Sequence, residues 1–218
     1  MSGYEIAHLD ELEELPINDG EFVWRPVRRR FGIEAFGANA YTAAAGQRVV
    51  EEHTEASLGH EELYVVVRGR ATFTLDGEDV DAPAGTFVFV RPGTRRGAVA
   101  AEDGTAVLAI GAKAGAAYEP SPWEGSFAAF SYAELGDLER ARAELETSID
   151  AHPGAWQGHY NAACLEARFG DAGAALAHYR RAEELEPDEV RRRAADDSDL
   201  DAIRSAIAGQ PEPGGAGA

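Results

Sequence analysis

Cysteine is all but absent from these 218 residues, and Cys164 stands alone. One thiol cannot close an internal disulfide, so a disulfide-stapled framework is excluded and a reducing compartment is expected. Lysine is as scarce, with Lys113 the single copy, and arginine supplies nearly all the positive charge. The 20 basic side chains face 39 acidic ones, a formal charge of −19, and both halves of the chain are acidic. Phosphate contacts need basic patches, so neither nucleic acid nor an anionic membrane is expected as a partner. No apolar run approaches the roughly 20 residues that span a bilayer, and the start lacks a basic-then-apolar leader. A cytoplasmic location is the resulting expectation. Missing too are a glycine-rich phosphate loop, a Ser-His-Asp arrangement and a Cys-x-x-Cys pair. The chemistry those motifs carry is not indicated.

What is present falls into two periodicities. Near the start, Ile6, Leu9, Leu12 and Leu15 are spaced by three and predict a short amphipathic helix or turn. From Phe22 the pattern is strand-like, over 22–27, 33–42, 47–52, 62–67, 70–75, 86–90 and 105–110. Asp76-Gly77 reads as a hairpin turn, and Ala82-Pro83-Ala84-Gly85 and Pro92-Gly93 as further turns. Many short strands at even spacing indicate a sandwich or barrel. Residues 111–125 are rich in Gly, Ala, Pro and Ser and read as a linker or strap. Beyond them the period lengthens to about three and a half, as in helices.

The most informative strand is His60-Glu61-Glu62-Leu63-Tyr64-Val65-Val66-Val67-Arg68-Gly69. Alternation puts His60, Glu62, Tyr64 and Val66 on one face and Leu63, Val65 and Val67 on the other. Two such apolar faces predict a strand covered on both sides. A carboxylate inside must then be paired, hydrogen-bonded or metal-bound.

This stretch resembles the first motif of the cupins, small β-barrels of jelly-roll type, whose pattern is G-x5-H-x-H-x3,4-E-x6-G. Glu62 and Gly69 match its second half. The companion motif, G-x5-P-x-G-x2-H-x3-N, is echoed by Gly85 to Arg96 with one extra residue before Pro92. The resemblance covers roughly residues 20–112. Counted back from Glu62, the motif histidines fall near Ala56 and Leu58, and the third histidine position holds Arg96. None of these three residues binds a metal. The resemblance therefore implies the barrel without its usual ion, and a pocket built from Glu62, His60, Arg96 and Tyr64. A guanidinium there could hold a small, anionic metabolite by a bidentate contact. It could equally do no more than neutralise Glu62. The alternative is a rearranged Zn, Mn or Fe site on His53, His60 and Glu62, completed by Glu55 or water, which implies a dioxygenase or isomerase. His53 lies nine residues before Glu62, so a loop would have to fold back. Arg25, Arg28, Arg29 and Arg30 read as strand-end arginines pairing the protein's own carboxylates, and Cys164 as a packing residue.

The second half repeats itself. Gly136-Asp137, Ala141, Leu145 and Pro153 recur as Gly170-Asp171, Ala175, Tyr179 and Pro187, each 34 residues on. That period resembles tetratricopeptide helix pairs, with Tyr132 at the first-helix aromatic position, though the Trp-x2-Leu-Gly start is missing. Helices are expected near 125–135, 138–151, 155–169 and 172–185, with 188–208 as a cap.

The expected fold is thus α+β with two domains. A cupin-like jelly-roll barrel occupies 1–116, a tetratricopeptide-like helical domain 117–208, and a disordered tail 209–218. The expected role is small-molecule sensing and protein interaction without catalysis. A protein or peptide partner would dock at the helical repeats, and a homodimer is possible because cupins commonly pair through their sheets.

Overall fold

Period-two alternation accounts for most of the first half. The computed structural model describes residues 3–120 and 122–208, and the expected tail at 209–218 lies outside them. By backbone contacts the chain divides into two units, Met1–Pro120 and Ser121–Ala218.

In the first unit, one antiparallel sheet takes β1 (Leu15–Ile17), β2 (Phe22–Arg25), β3 (Gly37–Ala43), β10 (Thr105–Lys113), β5 (His60–Arg68) and β8 (Phe87–Val90), in that order. The other takes β4 (Arg48–His53), β9 (Arg96–Ala100), β6 (Arg70–Leu75) and β7 (Glu78–Pro83). Tyr64 and Val66 of β5 point inward with Ala71 and Phe73 of β6, and all four are buried. The Tyr64 and Phe73 rings lie 5.6 Å apart, one from each sheet, which marks the interior between them. Fully burying a side chain such as Phe73 contributes roughly 1.5–3 kcal/mol.

Two local expectations need correction. The outer face of β5 is not fully covered: Leu63 and Val65 are half-buried and Val67 is exposed, beside the exposed Phe87 and Phe89 of β8. The predicted strand through Val27 stops at Arg25, because Pro26 turns the chain into a short helix, α1 (Val27–Phe31). Of the short helix or turn expected at the start, the structure has the turn, a 3₁₀ segment Leu9–Glu11, with Leu12 and Leu15 buried and Ile6 exposed. Arg25 explains that segment's attachment. It is buried, and it donates to the carbonyls of Leu9 and Leu12 and to Glu14 Oε1. Arg30 likewise pairs with Glu5 at 2.8 Å.

Gly69 joins β5 to β6 with φ +70°, a conformation that costs an L side chain strain. A Cβ there would also sit 2.6 Å from Thr105 Oγ1, which is already hydrogen-bonded to the carbonyls of Arg70 and Glu102.

In the second unit the internal repeat is visible in three dimensions. Helices α2 (Pro122–Glu134) and α3 (Leu138–Ala151) begin 34 residues before α4 (Trp156–Phe169) and α5 (Ala172–Leu185) respectively. Asp137 caps α3 through Arg140 N, and Asp171 caps α5 through Ala174 N. Ala141 and Ala175 are wholly buried at equivalent positions. Beyond them, α6 (Pro187–Ala194), a 3₁₀ segment Ser198–Ile203 and α7 (Arg204–Ala208) follow. Val190, Leu200 and Ile203 close a core with Tyr160, Ala163, Cys164, Ala175 and Tyr179. Burial pushes the Cys164 thiol well up from its ordinary value, as fits a packing residue. Among the described residues no helix is long and apolar enough to cross a membrane.

Candidate functional site

Charged side chains do not belong between two apolar sheets unless they meet. Arg96 opens β9 on one sheet, Glu62 and Tyr64 lie on β5 of the other, and the three converge in the interior. Arg96 is 0% exposed, the only arginine in that state among the described residues. Its Nε and Nη2 donate to Glu62 Oε2 at 2.9 and 2.5 Å, and its Nη1 donates to the Thr94 carbonyl at 3.0 Å. Tyr64 Oη donates to the same Glu62 oxygen at 2.7 Å. Gly111, opposite Glu62 on β10, leaves the room: a Cβ there would lie 3.1 Å from Glu62 Cγ.

These donors set the charge of the site. Burial raises the Glu62 carboxyl, but His53, Tyr64 and Arg96 together outweigh it and hold the group down to about 2. Tyr64 is driven well above its ordinary value by burial and by the carboxylate it faces.

His53 and Glu55 complete the cluster. His53 ends β4 directly opposite Arg96 of β9, so no loop folds back to deliver it. Its Nδ1 meets the Glu51 carbonyl at 2.8 Å, and its Nε2 lies 3.6 Å from both Glu55 Oε1 and Glu62 Oε2. At 3.6 Å these are ion-pair contacts rather than hydrogen bonds. Burial lowers the His53 pKa, and the contact with Glu62 and the Glu51 carbonyl more than reverse this, so the net shift is upward. Glu55 is raised, by burial and then by the neighbouring Glu62 charge. Its backbone N–H is held by the Pro92 carbonyl at 2.9 Å. His60 Nδ1 is 3.3 Å from Glu55 Oε2, an ion-pair contact, and among the described residues that buried oxygen has no hydrogen-bond partner.

The structure therefore brings together Glu62, Arg96, Tyr64 and His53. It places His60 one step away, against Glu55 and, at 6.1 Å between rings, Tyr118. Of the expected set His53, His60 and Glu62 completed by Glu55, the ligand atoms of His53, Glu55 and Glu62 all lie within 4.8 Å of one another, and His60 falls outside that group. Ala56 and Leu58, reached by counting back from Glu62, lie in the turn 56–59 beyond the strand. The inward positions are His53 and Glu55, two apart.

A second group with metal-ligating atoms, Cys164, Asp197 and Asp199, lies in the helical unit. There Asp197 accepts from Tyr160 Oη at 2.7 Å and from the Asp199 backbone N–H at 3.1 Å, which is the bonding of a helix cap.

Residues 41–110 match the family model described as the cupin domain. No curated protein matches the chain. An RmlC-like cupin protein from Desulfovibrio desulfuricans is similar at 28% identity and a TM-score of 0.41, over 50% of this chain and 97% of that one. A predicted oxalate decarboxylase from Thermotoga maritima is 17% identical, with TM-score 0.42 over 49% and 97%. A sugar phosphate isomerase of the cupin superfamily from Silicibacter pomeroyi is 16% identical, with TM-score 0.45 over 50% and 76%. At these TM-scores the likenesses decide nothing about this chain's chemistry. The family match does identify part of the first unit: a cupin domain spans residues 41–110.

Proposed function

We propose that the cupin barrel binds a small molecule without catalysing its reaction, and that the helical unit is an interaction module. The closed Arg96–Glu62 pair carries this reading. A fixed positive charge already stands where the cupin motif has a histidine, and its donors are engaged by Glu62 and Thr94. The same closure argues for a ligand of different charge from the anion favoured by sequence. A solute reaches His53 first, 33% exposed in its side chain, then Glu62 and His60 at 16% and Glu55 at 14%. Carboxylates and imidazoles at the surface, with the guanidinium buried behind them, suit a ligand rich in hydroxyl or amino donors. Calorimetric titration with polyols, amines and carboxylates tests this. Binding of a polyol or amine that is lost in Glu55→Gln supports the reading, and binding of carboxylates alone, or of nothing, refutes it.

Glu55 favours a second reading. Its buried Oε2 accepts no hydrogen bond among the described residues and has only the His60 contact, so a bound cation would satisfy it, and one imidazole with two carboxylates suits Zn, Mn or Fe. His53, Glu55 and Glu62 would hold the ion, while Arg96 and Tyr64 fix Glu62 and His60 orients Glu55. When bound, such an ion would polarise a substrate oxygen, the chemistry of a dioxygenase or isomerase. Elemental analysis of purified protein separates the two, since stoichiometric metal that disappears in Glu55→Ala would make the enzyme the better reading.

For the helical unit, the tetratricopeptide resemblance and the repeated helix pairs support a protein or peptide partner. Peptide-display selection against the full chain tests this, and a selection that enriches nothing counts against it. Light scattering tests the proposed homodimer.

A further inference from the structure

The barrel is not the place where imidazoles come closest. His159 on α4 and His178 on α5 face each other in the helical unit, Nδ1 to Nδ1, at 3.3 Å. Their rings are 5.6 Å apart and inclined by 32°, and both side chains are half-buried. We infer that His159 and His178 form a two-imidazole site for a divalent transition metal of the Ni²⁺, Cu²⁺ or Zn²⁺ class, bridging α4 and α5.

Geometry carries the inference. Metal–nitrogen bonds of about 2.0–2.1 Å at a tetrahedral angle place two ligand nitrogens about 3.3–3.4 Å apart. The pair already holds that separation, so binding needs no helix to move. The ligand type selects the metal: imidazole suits Zn, Cu and Ni, whereas Mg²⁺ and Ca²⁺ prefer oxygen.

The charges around the pair favour the binding form. Burial, then the facing His178, then Arg181 lower the pKa of His159. Burial lowers that of His178 as well, against the opposing pull of Glu166 and Glu146. Both shifts are toward the neutral ring, the form a metal ligand must have. Arg181 is turned to Glu184 at 2.9 Å, and Glu166 is committed to Arg142 and to the Asp171 N–H. Glu146 acts on His178 from α3 without its carboxylate reaching the pair, so water completes the coordination. In the hydrogen-bonded pair one Nδ1 carries a proton. That proton moves to Nε2 of its own ring when the metal takes the Nδ1 lone pair, so the neutral pair releases none.

The test uses the full chain after chelator treatment. Ni²⁺ or Zn²⁺ is titrated calorimetrically into the native protein, His159→Ala, His178→Ala and His53→Ala, each checked for native helical content by circular dichroism. The expected result is one metal equivalent that disappears in His159→Ala and His178→Ala and survives in His53→Ala. Cu²⁺ added to the native protein should first broaden the imidazole NMR signals of His159 and His178, which reads the site even if a variant misfolds. Titrations unchanged by either helical substitution, or early broadening confined to other histidines, would overturn the inference.

Discussion

Arg96→Met should cost the barrel about 3 kcal/mol at neutral pH and far less near pH 2. Glu62 titrates at about 2 in the fold against 4.5 ordinarily. At 1.36 kcal/mol per unit, its ionised form contributes about 3 kcal/mol. Because the folded value is depressed, that stability is fully present above pH 4.5 and is lost as the pH falls toward 2. Arg96 donates two of the three hydrogen bonds that hold the carboxylate, the third coming from Tyr64. The contribution from Glu62 is shared with His53 and Tyr64, and the loss expected for Arg96→Met rests on the cost of removing one partner of a buried pair, about 3–5 kcal/mol. In the variant, burial should push Glu62 up, so the gap to the native protein should close through the same pH window. Urea titration read from resolved β5 amide signals is the assay. Fluorescence would mix the units, since Trp24 lies in one and Trp156 in the other. Glu62→Gln combined with Arg96→Met should recover part of the loss, because neither charge is then left alone. A variant within about 0.5 kcal/mol of the native protein at pH 7 would refute the reasoning. So would an equal gap at pH 7 and pH 3.

Three further outcomes are expected. Tyr64→Phe removes one donor to a charged group, so it should cost about 1.5–3 kcal/mol and move the Glu62 titration upward, visible in carboxyl chemical shifts. Gly69→Ala meets both a positive φ and the Thr105 hydroxyl, and a loss of about 2 kcal/mol or more should lower the barrel's melting midpoint. Asp137→Ala and Asp171→Ala should each cost the helical unit about 1 kcal/mol by freeing an N-cap, while Glu139→Ala, which lacks that role, should cost less.

Much of this was legible in the sequence where residue spacing and burial obey one rule. The 34-residue offset placed α3 and α5, because Asp137 and Asp171 cap them and Ala141 and Ala175 pack them alike. Motif spacing after Glu62 led to Arg96, since proline and glycine turns hold the length of that connection. Glu55 was legible as a completing group beside His53 and Glu62, but the turn at 56–59 hid which of the nearby imidazoles would share the ion with it. The exposed outer face of β5 was misread for another reason. Valines fit a pleated strand whether or not anything covers them. The helix α1 was lost to its arginines, which suit a helix turn and a strand end equally.

The guanidinium of Arg96 reaches from one sheet to a carboxylate on the other, and this constrains how the chain can diverge. Any path of single replacements that alters one partner passes through a protein with a lone interior charge. That state forfeits about 3–5 kcal/mol out of the 5–15 a typical domain possesses. Among descendants of this sequence, positions 62 and 96 should therefore change together or stay as they are, giving a covariation signal stronger than either position's own variability.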